Sequence, residues 1–202
     1  MDRDEVRRAW ESLSDPYATS RPTDGNDVAL LDELLDVLEP NPRVLDLGCG
    51  DGRRTLANLE GAERVGLDVA RAGLSLAKAA VPDAALVQGD MVRLPVATDS
   101  VDAVTAYHTV FHVQRERHPA VYDEVARVLR PAGKFLTTVG RGRSETVRRN
   151  WLGTGESMLF STPGRERTRE QLDAAGFDVR WERSVEDPFG GSALFLLAEL
   201  AE

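Results

Sequence analysis

The chain has one cysteine, two lysines and three histidines in 202 residues. The lone Cys49 excludes an internal disulfide framework and a multi-cysteine metal site. Set in a glycine turn, it reads as a small packed side chain rather than a nucleophile. Lys78 and Lys134 leave arginine to carry nearly all the positive charge, and 34 acids against 25 basic residues give a net charge of -9. That balance argues against nonspecific attachment to nucleic acid or an anionic membrane surface. The same acidic, lysine-poor composition fits a high-salt cytoplasm and a GC-rich genome equally well. No apolar run approaches the ~20 residues of a bilayer span, and MDRDEVRRAW at the start lacks the apolar core of a signal peptide. Together these absences predict a soluble, cytoplasmic protein with no nucleic-acid or membrane partner. They say nothing about oligomeric state.

What is present is alternation. Repeats, low-complexity tracts and a Gly/Ser linker are missing, so 1–202 reads as one domain. Leu31, Leu34, Leu35 and Leu38 share a helical face, and Pro40 and Pro42 end that pattern. A short helix around Trp10 precedes it, joined by the turn-rich DPYATSRPTDGN. From residue 43 the pattern becomes strand, turn, helix, repeated, with RVLDL, RVGLD, AALVQ, SVDAVTAY and GKFLTTVG as strands buried on both faces. Residues 115–129 read as a helix in which Asp123 pairs with Arg127. Thr168 and Gln171 form a T-x-x-Q capping box, and Gly176 suits a left-handed helix end. FDVRWERSV and GSALFLLAEL, around PFGG, read as a final hairpin. The expected fold is a three-layer, doubly wound α/β sheet, mostly parallel with an antiparallel final strand. Its expected divisions are a helical cap (1–42), a cofactor-binding core (43–140), a substrate-side insert (141–167) and a C-terminal helix with hairpin (168–202).

In such sheets ligands sit beyond the carboxyl ends of the strands, which directs attention to VLDLGCGDG at 44–52. A dinucleotide turn needs G-x-G-x-x-G, but Gly48, Gly50 and Gly52 are followed by Arg53 where the third glycine belongs, and a phosphate loop's lysine is missing. Asp46, at the strand end, suits an ammonium group better than a pyrophosphate. Asp68 follows Asp46 by 22 residues and Asp90 follows Asp68 by the same interval. The first spacing fits a carboxylate gripping ribose hydroxyls. Asp90 can accept from an exocyclic amine while the Met91 backbone N–H donates to a ring nitrogen. An ammonium, a ribose diol and an adenine amine, read by consecutive strand ends, describe S-adenosylmethionine.

The chain here resembles the class I S-adenosylmethionine-dependent methyltransferases, most closely their small-molecule branch that includes quinone-biosynthesis enzymes. VLDLGCGDG, VGLDVA, QGDMVRLPVATDSVDAV and EVARVLRPAGKF carry the resemblance over residues 44–135, about half the chain. The family's Pro-Gly-Gly before the fifth strand is here Pro131-Ala132-Gly133, a change in a turn. The resemblance implies that Asp46, Gly48, Cys49, Gly50 and Gly52 line the methionyl side of the cofactor. It implies Asp68 and Val69 at the ribose, Asp90 and Met91 at the adenine, and Tyr107 beside them. S-adenosylhomocysteine is the implied product, and no metal is expected.

Catalytic groups are harder to read, because aligned methyl transfer needs a base only when the nucleophile arrives protonated. His108 and His112, after the fourth strand, are the candidates for a base and for the acceptor pocket. A packed structural histidine is the favoured reading of each, with at least one expected to border the pocket, and their i, i+4 spacing lacks a third metal ligand. His118 reads as a surface residue. Tyr17 and Arg21 match a family lid segment that folds over the cofactor, with Arg21 a partner for its carboxylate, or Trp10 and Tyr17 only pack a helix onto the sheet. Trp151, Met158 and Phe160 line an acceptor pocket or close a satellite core. Arg141, Arg143, Arg148 and Arg149 attract an anionic acceptor or are simply solvated. The expected activity is methyl transfer to a small-molecule acceptor. The alternatives are a non-catalytic S-adenosylmethionine-binding sensor or assembly partner and, against Arg53, a nicotinamide-dependent oxidoreductase.

Overall fold

Among the described residues the chain forms nine strands. In chain order they are β1 (Arg43–Leu47), β2 (Glu63–Asp68), β3 (Ala85–Gln88), β4 (Val101–Ala106), β5 (Leu129–Val139), β6 (Ser144–Arg148), β7 (Met158–Thr162), β8 (Phe177–Glu186) and β9 (Ser192–Leu200). The computed structural model describes residues 1–23, 25–187 and 190–201. Pro188 and Phe189 of the expected hairpin turn lie outside them. Seven strands join in one sheet of order β3-β2-β1-β4-β5-β9-β8. β1 to β5 run parallel, and β9 pairs antiparallel with both β5 and β8. The order reverses between β1 and β4, which opens the crevice where such sheets bind ligands.

Strand alternation builds a core on each face. Leu45, Val104, Phe135 and Leu196 point one way, toward α4 (His118–Val128) and α5 (Arg165–Ala174). Their neighbours Val44, Ala103, Leu136 and Phe195 point the other way, toward α2 (Ala29–Asp36) and α3 (Arg71–Ala80). The result is the expected three layers. A separate cluster joins Val6, Ala9 and Leu13 of α1 (Arg3–Ser20) to Met158 and Leu159 of β7. Among the described residues, no helix is long and apolar enough to cross a membrane.

Several local expectations are corrected. The helix around Trp10 is not short: it runs from Arg3 to Ser20 and absorbs half of the supposed connector, with Pro16 inside it. An interior proline forfeits one helical hydrogen bond, a loss that the buried face of Val6, Ala9 and Leu13 offsets. Arg127 pairs with Glu124, not Asp123. Thr168 is not a cap but a buried residue inside α5, whose N-cap is Gly164. Gly176 does take the left-handed conformation, with φ 88°. The insert forms a two-stranded sheet of β6 and β7 that the sequence pattern did not announce. His118 is buried, not exposed, and its Nε2 meets the Val113 carbonyl at 3.0 Å.

Candidate functional site

β1 ends in Asp46, which is fully enclosed: its side chain accepts from Thr105 at 2.7 Å and from Thr55. Burial, partly offset by those two hydroxyls, pushes its carboxyl up to about 7. The chain then turns through Gly48, at φ 67°, where a Cβ would lie 2.0 Å from the Thr109 hydroxyl oxygen. Gly50, at φ 52°, faces open space, so its bare backbone can touch a ligand. β2 ends in Asp68, whose two oxygens accept from Gly50 N at 2.9 Å and Ala70 N at 2.8 Å. One carboxylate therefore ties the glycine turn to the entry of α3. Burial also raises the Asp68 carboxyl, against those backbone bonds.

These groups line a cleft at the carboxyl ends of β1, β2 and β4. Asp46, Gly48, Cys49, Gly50, Asp68 and Val69 form one side. Met91, Tyr107, His108, His112, Tyr17 and Arg21 complete it. The sequence reading thus assembled most of one cavity. Three residues fall elsewhere. Gly52 faces α3, where a Cβ would sit 3.3 Å from the Ala77 Cβ. Trp151 lies in an adjoining recess. Asp90 differs most from its expectation as an adenine acceptor. Both its oxygens accept from Arg3, at 2.9 and 2.7 Å, and Gly89 and Met91 line the cleft in its place. Burial would raise the Asp90 carboxyl, but Arg3 holds it below its ordinary value. The Cys49 thiol is buried and pushed well above its ordinary range, so it is inert packing.

α1 closes the cleft, and its anchors were not foreseen. Arg3 also donates to the His112 carbonyl at 3.0 Å. Glu11 accepts from Arg71 N and Ala72 N, capping α3, which has no cap of its own. Arg21 donates to the Tyr17 hydroxyl at 2.9 Å. A second unforeseen group is the buried pair of Arg54 and Asp27, with Arg54 Nε 3.0 Å from Asp27 Oδ2. Burial alone would raise the Asp27 carboxyl; His108 and Arg54 hold it below its usual value. Nothing periodic marks these residues, because each meets its partner through tertiary packing of separate loops.

His108 sits where the cleft meets the recess, with φ 53° and its N–H on Thr138 Oγ1 at 2.8 Å. Its Nε2 is 3.6 Å from Asp187 Oδ2 and 3.9 Å from Asp27 Oδ2. Burial lowers the imidazole's pKa, so the neutral form dominates at neutral pH. His112 is a different case. Its Nδ1 meets the Leu159 carbonyl at 2.7 Å, and burial lowers it to about 4. Its ring packs against Trp10 and Phe160, at 5.3 and 5.0 Å between centroids. Met158 is wholly buried in the satellite core, whereas Trp151 and Phe160 both pack on that core and wall the recess. Among the described residues no cluster of His, Cys, Asp and Glu could hold a metal.

Comparison with known proteins bears on this site. A family model described as "Methyltransferase domain" matches residues 45–137. An uncharacterized methyltransferase of Synechocystis is 35% identical over 152 residues, covering 70% of this chain and 69% of that one. A demethylmenaquinone methyltransferase of Beutenbergia cavernae is 34% identical over 139 residues, covering 66% and 54%. The chain spans about half the length, or less, of most of the curated relatives it matches. In fold it is similar to a Burkholderia thailandensis N-methyltransferase solved with S-adenosylhomocysteine. The TM-score is 0.76 at 20% identity, over 98% of this chain and 88% of that one.

Proposed function

Because the chain belongs to the class I S-adenosylmethionine-dependent methyltransferases, we propose that it transfers a methyl group from S-adenosylmethionine to a small-molecule acceptor. One observation carries this reading: the buried carboxylate of Asp46, the half-buried one of Asp68 and an open glycine backbone converge in a single cleft at the strand ends. The donor set fits the cofactor. Asp68 keeps a lone pair on each oxygen beyond its backbone bonds, which suits a ribose diol. Asp46 offers negative charge to an ammonium group, and the bare Gly50 backbone lets the methionyl portion approach. Met91 and Val69 supply an apolar wall for the adenine. When bound, the cofactor supplies a sulfonium already primed to release its methyl.

The chain's own residues then have three tasks. Asp46 and Asp68 orient the donor, α1 excludes water from above, and His108 stands where an acceptor would meet the cleft. Orientation alone can supply several kcal/mol of the barrier reduction. In this reading 43–140 holds the cofactor, 1–42 caps it, 141–167 walls the acceptor, and 168–202 completes the sheet. Calorimetry with S-adenosylmethionine and S-adenosylhomocysteine tests the proposal. Binding of both is expected, and Asp68→Ala should abolish most of it. No binding of either at sub-millimolar concentration refutes it.

A further inference from the structure

This acidic chain meets most of its arginines with a carboxylate. On α5, Arg165 and Arg169 share Glu182 and Arg167 meets Glu170, while Arg180 and Arg183 of β8 meet Glu199 and Glu33. The stretch 141–149 departs from that rule. Among the described residues, Arg143, Arg148 and Arg149 are exposed and form no ion pair. Arg148 rests on the Phe160 ring at 4.2 Å, and Arg141 meets the hydroxyls of Ser184 and Ser192 instead of an acid. Glu145 is the one acid in 141–155, and it is turned to Arg115 at 3.1 Å and to the Ser161 hydroxyl at 2.8 Å. Three guanidinium groups are left facing water.

The strand they bracket is open. β6 is exposed along its whole length and pairs with β7 alone, so its outer edge carries free N–H and C=O groups. Edges are normally blunted by a proline, a bulge or a covering element, and Ser144–Arg148 has none of these. Beside it two apolar side chains stand in water. Val147 is 41% and Leu152 37% exposed, two of the three large ones that the described residues expose. Leu152 is held there against its own preference. Its φ of 55° is a left-handed conformation that leucine rarely adopts. Bonds from Trp151 N to Glu156 O and from Gly155 N to Asn150 Oδ1, both 2.8 Å, fix the turn around it. A strained turn that lifts an apolar side chain into water points to a surface that is covered in use.

The charges choose the occupant. A second copy paired antiparallel about Thr146 would set Arg143 against Arg149, like charge on like. An acidic strand meets the same arginines as counter-charges. Within the ~8 Å over which physiological salt leaves fields intact, these local cations outweigh the chain's net charge of -9. We propose that β6 and the turn at 150–155 are the docking surface for an acidic partner protein. The partner adds an extended segment to the open edge, with carboxylates on Arg143, Arg148 and Arg149 and an apolar side chain against Val147 and Leu152. Because Arg148 and Leu152 also wall the recess, the docked segment covers the recess mouth. The docking stands whether or not the recess holds a methyl acceptor.

The test is fluorescence anisotropy of a labelled octapeptide of alternating Glu and Val, titrated with the full chain. Saturable binding with a Kd of about 100 µM or tighter is expected, weakening about ten-fold or more as salt rises from about 0.05 to about 0.5 M. An octapeptide of alternating Lys and Val should not bind. Hydrogen exchange at the β6 amides should slow about ten-fold in the acidic complex. Reversing the three charges together, by Arg143→Glu, Arg148→Glu and Arg149→Glu, should weaken the acidic peptide about ten-fold or more and admit the basic one. A melting curve close to the native one shows that this variant is folded; should it melt early, the native chain's choice between the two peptides still decides. No saturation by the acidic peptide, equal binding of both peptides, or unchanged β6 exchange overturns the proposal, as does a folded reversed variant that keeps the native preference. Tighter binding of an oligouridylate than of the acidic peptide makes the arginines a nucleic-acid site and overturns it too.

Discussion

Replacing Asp46 by asparagine should make the protein more stable at alkaline pH while weakening its cofactor site. The Asp46 carboxyl sits at about 7 in the fold against an ordinary value of 3.8. Between those values the folded chain holds a proton that the unfolded chain has lost, so stability falls as pH rises through this window. At ~1.4 kcal/mol per pH unit the whole gap is worth at most about 4 kcal/mol, fully felt above about pH 7. Asparagine removes the ionisation and keeps the shape. Thr55 and Thr105 now donate to the two carboxylate oxygens. Facing the amide, one hydroxyl can keep donating and the other can rotate to accept. Urea unfolding at about pH 8 should therefore show D46N more stable than the native chain by roughly 1–3 kcal/mol, and the two should agree within about 1 kcal/mol at about pH 5. A cationic ligand favours the ionised acid, so S-adenosylhomocysteine affinity should rise with pH toward about 7 in the native chain and stay flat in D46N. If D46N loses the same stability at both pH values, Asp46 is a structural acceptor, and the argument that its charge is held for a ligand fails.

Three further outcomes follow from contacts around the cleft. Arg3→Ala removes both bonds to Asp90 and one to the His112 carbonyl. Hydrogen exchange of the α1 amides should speed up about ten-fold or more, reflecting about 1–3 kcal/mol of lost anchoring; unchanged exchange would mean that the apolar face alone holds the helix. Asp27→Asn leaves the buried Arg54 without a carboxylate and should cost about 3–5 kcal/mol, whereas replacing the pair together by leucine and methionine should cost less. Urea midpoints decide between them, and equal losses would contradict the account of the pair. Gly48→Ala forces a Cβ to within 2.0 Å of the Thr109 hydroxyl at a φ of 67°. It should lower stability by about 2 kcal/mol or more, and a melting curve within error of the native one would refute that geometry.

The legible and illegible parts of this molecule divide along a physical line. Strand and helix identity depends on short-range periodicity, and Leu45, Val104, Phe135 and Leu196 alternating with Val44, Ala103, Leu136 and Phe195 register it directly. The glycine turn and Asp68 were legible for the same reason: a strand end, a bare turn and an acid are adjacent in sequence and in space. Asp90 shows where that logic stops. Its position in the chain is regular, yet its partner is Arg3, 87 residues away, and no local pattern reports such a meeting. The same holds for Asp27 with Arg54, and for Glu11 capping α3 across 60 residues. Each belongs to α1 or to the loops beneath it, segments whose place is fixed by packing rather than propensity. Pro16 made the point in reverse, since the strongest local signal for a break lies inside a continuous helix. The histidines complete the argument. His108 and His112 looked alike at i, i+4, but His112 meets a carbonyl inside an aromatic cluster while His108 faces two carboxylates at the mouth of the cleft. Spacing placed them together, and only their surroundings separate a packed ring from a candidate base.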